Sequence, residues 1–334
     1  MTTLLLKYLS LQIVFLLALS FPVPEILAAT PYEECLLRSF AEGDDSRTLG
    51  EIKATCRAEK ISPAAEEENI LPSTYAETFS VSPHKQNYIL LFGHNTAPNL
   101  TPYDDPDVVV DHDEITFQVS LKFPIVDFEI GGKKTYLMAA YTARSFWQAY
   151  NKTLSSPFRE TNHEPEVFVR YPLNTDIPGI KKMFLMAGFV HQSNGRSQPL
   201  SRSWNRLYLD LVVEGENYKL SIKPWYRLPE EDKKYIGASE GDDNPDINDY
   251  LGYGEISGAY KAWNHTFSFM LRNNLSSHEN KGALELGWSF PMPFIETDEA
   301  KGYIQYFNGY GESLIDYNAA VERIGVGVIL ADWF

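Results

Sequence analysis

The chain has 334 residues, 44% of them hydrophobic and 13% aromatic, with a mean hydropathy of -0.28 and a formal net charge of -16 at pH 7. That is too polar for a bundle of membrane helices, and past the N-terminus no run of about 20 apolar residues occurs. The acidity argues against nucleic acid as a partner, since a polyanion needs a basic surface, but it is compatible with loops that hold divalent cations.

Residues 1–29 read as a secretory signal. Lys7 supplies the positive charge, Leu11 to Leu19 a short apolar core, and Ile26-Leu27-Ala28-Ala29 a small-residue cleavage site. The core is too short for a membrane anchor, and Pro22 and Pro24 interrupt it. Residues 30–84 form a second zone. Cys35 and Cys56 are the two cysteines of the chain, and an exported compartment permits a disulfide between them. Leu36, Leu37, Phe40, Leu49 and Ile52 suit a short helical hairpin that this bond would close. Zinc binding by two thiols is weak, because a closed site needs four ligands. A Glu-rich, proline-punctuated linker follows from 58 to 84.

From 85 to 334 the pattern is alternation, which puts apolar and polar side chains on opposite faces of a strand. Ile115, Phe117, Val119, Leu121 and Phe123 show it, as do Leu207, Leu209, Leu211 and Val213, then Phe267, Phe269 and Leu271, then Ile324, Val326, Val328 and Leu330. Twelve strands are predicted, starting near 86, 113, 134, 165, 182, 203, 217, 250, 265, 281, 301 and 320. An even number fits a closed barrel. The polar face carries charged or small residues and is expected to meet a hydrated interior, leaving the apolar face to lipid. A soluble sandwich would also alternate, with the apolar side inward. Strand-like segments of about nine residues or more, long enough to cross a bilayer at a tilt, favour the barrel. So does Phe334, an aromatic placed directly after the last alternating strand. The fold class expected is all-β: a twelve-stranded antiparallel transmembrane β-barrel with a short N-terminal periplasmic extension.

One stretch, from His191 to Arg206, is unlike the rest (HQSNGRSQPLSRSWNR). Asn194-Gly195 ends one strand in a turn and Ser203 begins the next. His191 and Ser193, two apart, share a face with Met183, Leu185, Ala187 and Phe189. Asn205 on the return strand shares a face with Leu207, Leu209, Leu211 and Val213. Polar groups in such otherwise apolar columns are costly without a partner. The chemistry suits these types. A serine needs a base to become a nucleophile, an imidazole can be that base, and an amide oxygen can hold the imidazole in one tautomer. A backbone N–H at the Ser193 turn can serve an oxyanion hole.

The segment resembles the signature of the outer-membrane phospholipase A family, His-x-Ser-Asn-Gly-Arg-Ser followed by Ser-Arg-Ser-Trp-Asn-Arg. Further matches are 155–162 (SSPFRETN), 223–226 (KPWY), 242–247 (DDNPDI) and 309–317 (GYGESLIDY), so the likeness spans roughly 85–334. It implies a bacterial outer-membrane enzyme that hydrolyses sn-1 and sn-2 acyl esters of phospholipids and lysophospholipids. Ser193 would be the nucleophile, His191 the base and Asn205 its orienter. It also implies a calcium-bound homodimer, with calcium on the Arg196 carbonyl, the Ser201 hydroxyl and Ser155 of the other subunit, and a further site involving Asp243. Two positions depart from the family: Gln198 stands where some members have an acidic calcium ligand, and Ala143 where some have a glutamine that ties the dimer. Asp242, Asp243, Asp246 and Asp249 crowd one loop, as cation ligands or as a solvated surface. His94, His112, His163, His265 and His278 show no ligand spacing, and Trp204, Trp225, Trp263, Trp288 and Trp333 are read as girdle or packing residues. The rival readings are a catalytically silent porin or adhesin barrel and a soluble secreted esterase.

Overall fold

The computed structural model describes residues 80–103, 108–235, 237–238, 240–292 and 300–333. The signal-like segment, Cys35, Cys56, most of the 58–84 linker and Phe334 lie outside the described residues. A two-residue strand β1 (Ser82–Pro83) leads into β2 (Asn87–Asn95), β3 (Asp113–Ile130), β4 (Lys133–Trp147), β5 (Phe158–Leu173), β6 (Lys182–Ser193) and β7 (Ser203–Glu214). The chain continues through β8 (Tyr218–Arg227), helix α1 (Ile247–Leu251), β9 (Gly254–Ala262), β10 (His265–Asn273), β11 (Gly282–Phe290), β12 (Lys301–Tyr310) and β13 (Ala320–Ala331). Strands β2 to β13 pair with their sequence neighbours, and β13 closes on β2 with Ile324 opposite His94. The result is a closed, antiparallel, twelve-stranded barrel; β1 adds a short pairing to β3, Ser82 opposite Lys122.

The faces fall as the alternation requires. Val119, Leu121 and Phe123, Leu207 and Leu209, Phe267, Phe269 and Leu271, and Ile324 and Val326 are all exposed outward. A closed barrel with an apolar exterior suits a bilayer, and this arrangement overturns the apolar-in sandwich. The inner face is polar but packed. Glu114 accepts from Arg159 Nε and Nη2 at 2.9 Å each, and also from Arg323. Arg323 Nε reaches Glu312 at 2.9 Å, and Arg159 Nη1 reaches Asp316 at 2.6 Å. Towards the other end Glu166 meets His84 at 2.7 Å and the Tyr208 hydroxyl at 2.8 Å. Phe146, Phe168, Trp204 and Tyr303 fill the space around these ions. Asp332, which departs from the apolar pattern of the last strand, accepts from the Ser289 hydroxyl and lies 3.6 Å from Lys301 Nζ.

The two ends of the barrel differ. At one, β3 and β4 are joined by Gly131-Gly132, both at positive φ, the conformation a two-residue hairpin demands. At the other, residues 96–112, 148–157, 194–202, 228–253, 274–281 and 311–319 make longer connections. Long loops mark the outer-surface end of such barrels. Two strand starts differ from expectation. β5 begins at Phe158 rather than near 165, because its first turns put Glu160 and Asn162 inward and Thr161 and His163 outward, so no apolar alternation marks them. β9 begins at Gly254 rather than near 250, because Ile247 and Leu251, four apart, instead bury one face of the short helix α1.

Candidate active site on the outer wall

The β6–β7 hairpin pairs His191 with Asn205 and Ser193 with Ser203. Directly paired side chains stand on the same face of the sheet, here the outer wall at the long-loop end. His191 Nδ1 lies 2.8 Å from Asn205 Oδ1, and Asn205 Nδ2 donates to Glu230 Oε1 at 3.0 Å. The second contact decides the first. A Glu230 carboxylate oxygen accepts from the Asn205 amide nitrogen, which turns the amide oxygen towards the imidazole. The oxygen then accepts from Nδ1–H, which leaves Nε2 of His191 as the free basic atom. Ser193 stands two residues along the same strand face, about 6.6 Å at a rise of about 3.3 Å per residue, near enough for the two side chains to meet. Among the described residues, Ser193 Oγ makes no hydrogen bond of its own.

The inward side of this hairpin is locked. Trp204 Nε1 donates to Gln192 Oε1 at 2.8 Å, and the Arg206 guanidinium lies 3.9 Å from the Trp204 ring and 5.2 Å from that of Trp225. Such packing holds the outer wall to a single geometry. Trp204 and Trp225 are thus packing residues, as expected, while Trp263 and Trp288 face outward.

The loop after Ser193 is tied down by buried Asn194. Its backbone N–H donates to Arg202 O at 3.0 Å, and its side chain bonds Leu200 O at 2.8 Å and Arg202 N at 3.0 Å. Gly195 then turns at φ +63°, a conformation that favours glycine. With the Asn194 amide engaged, the first amide past the nucleophile without a partner among the described residues is the Gly195 N–H.

The candidate calcium residues fall into two groups. Ser201 Oγ donates to Asp243 Oδ2 at 2.5 Å, and Gln198 Nε2 donates to Oδ1 at 2.6 Å. The structure therefore joins Ser201 and Asp243 in one place, with Arg196 on the same loop. Lys233 Nζ also lies 2.5 Å from Asp243 Oδ1. Partial burial would push the Asp243 carboxyl up, but the bonds from Lys233, Ser201 and Gln198 outweigh it and hold the group below its ordinary value. Ser155 is exposed on the 148–157 loop, where it and Ser156 both adopt positive φ. Buried Asn151 braces that turn, accepting from Ser156 N at 2.9 Å and from Leu154 N at 3.1 Å. Hydroxyl, carbonyl and carboxylate oxygens suit a hard cation. Among the described residues, however, no three His, Cys, Asp or Glu side chains gather as a metal site. The donors fit calcium, but one chain alone offers few of them.

Of the other loop acids, Asp242 is held by Arg227 at 2.6 Å and Asp246 by the Tyr317 hydroxyl at 2.6 Å, so both have structural partners. Three residues at the site escaped sequence reasoning. Glu230 and Lys233 lie in a loop of no recognisable motif. His163 becomes a neighbour of Ser193 only through the β5–β6 register, and Ala143 is its partner on the other side.

Known proteins resemble this chain. The family model for phospholipase A1 matches residues 65–330. Phospholipase A1 of Escherichia coli K12 is 39% identical over 259 residues, which cover 77% of this chain and 83% of that protein. The solved outer membrane phospholipase A of Escherichia coli is 38% identical with a TM-score of 0.66, over 77% of this chain and 100% of that one. The outer membrane phospholipase of Salmonella typhi, solved as a dimer with bound calcium, is 37% identical with a TM-score of 0.67, over 80% and 97%.

Proposed function

The chain belongs to the phospholipase A1 family of bacterial outer-membrane β-barrel enzymes, and from that premise we propose that it hydrolyses sn-1 and sn-2 acyl esters of phospholipids and lysophospholipids through Ser193, His191 and Asn205, with calcium and as a homodimer. The observation that carries the reading is the His191–Asn205–Glu230 chain beside Ser193 on the wall that faces lipid.

Nε2 of His191 takes the Ser193 proton as Oγ attacks the ester carbonyl. The Gly195 N–H is placed to donate to the carbonyl oxygen as charge builds there. His191 then returns the proton to the leaving alkoxide, a lysophospholipid or glycerophosphodiester. Water, activated by the same imidazole, releases the fatty acid from the acyl-serine. Asn205 keeps the ring in one tautomer throughout, and Glu230 keeps Asn205 from flipping. The substrate needs no path to a cleft, because its ester lies in the membrane beside the wall.

Calcium, when bound, would supply positive charge to stabilise the oxyanion. The residues that would hold it are Arg196 through its carbonyl, Ser201 through its hydroxyl and Asp243, with Ser155 supplied by the second copy. Ser155 is exposed on the loop between β4 and β5, which leaves its hydroxyl available to a second copy. Such an enzyme is quiet as a monomer, which protects the membrane it sits in.

The silent-porin reading is disfavoured by the lumen, where paired charges and aromatic rings occupy the channel. The test is fatty-acid release from phosphatidylcholine by purified protein in detergent, with calcium or with chelator, for wild type and Ser193→Ala. The reading requires calcium-dependent release that vanishes in Ser193→Ala. A wild type that is inactive when cross-linking shows it dimeric returns the chain to the silent-barrel class.

A further inference from the structure

Ser193 has a second imidazole beside it. His163 on β5 is its paired neighbour in the sheet, so both side chains stand on the outer wall at the same height. The His163 ring is anchored from below. Its Nδ1 lies 2.6 Å from the Tyr141 hydroxyl, and the two rings stack at 6.2 Å. A phenol on the lipid-facing wall needs an acceptor, and Nδ1 provides one; the proton of a neutral His163 then sits on Nε2. That edge of the ring points the other way, towards Gly195, where Nε2 and Cδ2 come within 4.0 Å and 3.9 Å of the place a Cβ would occupy. Gly195 lies two residues beyond Ser193, towards the outer surface. Nε2 of His163 is therefore a hydrogen-bond donor set just above the nucleophile on the water side.

We propose that His163 is a specificity-determining residue, whose Nε2–H binds the phosphodiester of the substrate while Ser193 attacks the ester. The inference rests on the reading of Ser193 as the nucleophile. In a bilayer the phosphodiester of a phospholipid lies on the water side of its acyl esters. An ester at Ser193 thus brings a phosphate oxygen to the level of Gly195 and Nε2. His191 cannot fill this role, since its Nδ1 is bound to Asn205 and its Nε2 is the base.

The test compares phosphatidylcholine with diacylglycerol, which carries the same esters and no phosphate, in matched calcium-containing micelles. His163→Phe keeps the ring volume and removes the donor. The ratio of kcat/KM for phosphatidylcholine over diacylglycerol is expected to fall about tenfold, through KM, as for a lost hydrogen bond to a charged group. His163→Gln, which retains an N–H, should restore most of the ratio. Heat-modifiable gel mobility and cross-linking of each variant confirm barrel and dimer. An unchanged ratio in His163→Phe, or equal losses on both substrates, overturns the inference while leaving Ser193 as nucleophile. A wild type that cleaves neither ester overturns the reading of the site itself.

Discussion

The barrel has two networks of polar side chains, one inside and one outside. In the lumen, Glu114, Arg159, Arg323 and Asp316 are buried, and each acid meets a base. Each of these four charges is met by an opposite one. On the outer wall, Glu230, Asn205 and His191 form a one-way chain in which each group fixes the next, and it ends two residues along the strand face from Ser193, whose Oγ has no hydrogen bond among the described residues. The contrast shows why polarity alone does not mark a site. Closed networks hold the barrel together, whereas a network that ends near a serine hydroxyl is set up for chemistry.

That difference can be broken experimentally. On the outer wall, His191→Ala should lower kcat about ten-thousandfold or more, as removal of a triad base does, with heat-modifiable mobility unchanged. In the lumen, Glu114→Ala should do the reverse. It takes one of two acid partners from each of Arg159 and Arg323 and should cost about 3–5 kcal/mol of stability, read from denaturant unfolding, while fatty-acid release per folded molecule is kept. If Glu114→Ala lowered kcat in the folded protein, the division between the two regions would fail.

Two smaller effects sharpen the outer site. Glu230→Gln removes the charge that orients Asn205 and allows its amide to flip. A loss of about tenfold in kcat is expected, the scale of one charge-assisted hydrogen bond, with KM little changed. Lys233 is a tethered cation on Asp243, partly exposed, so a calcium ion bound there as proposed would have to compete with it. Lys233→Met should lower the half-saturating calcium by about fivefold, the worth of about 1 kcal/mol for such a pair, measured by calorimetry. A weaker calcium affinity would mean that Lys233 organises the loop rather than competing for it.

Much of this was legible in the sequence. The period-two pattern placed most strand starts within a residue or two, and the β6–β7 hairpin ends at Ser193 and resumes at Ser203 as read. Alternation reports side-chain facing directly, so strands with an apolar outer face are visible. The start of β5 was not, because Thr161 and His163 face outward without being apolar. The site was legible where its parts share one hairpin. Glu230, Lys233 and His163 join it from other loops and strands, and only the three-dimensional register brings them in. The filled lumen was also hidden, since alternation says which residues point inward but not which acid meets which base.

The central claim is that Ser193, facing lipid and activated by His191, is the nucleophile. The most direct measurement is to treat the calcium-loaded protein in micelles with an alkyl sulfonyl fluoride and map the adduct by mass spectrometry. The account predicts a single adduct on Ser193, formed in step with loss of fatty-acid release and absent in His191→Ala. Complete inactivation with the adduct on another residue, or an active enzyme that takes no label at Ser193, would contradict it.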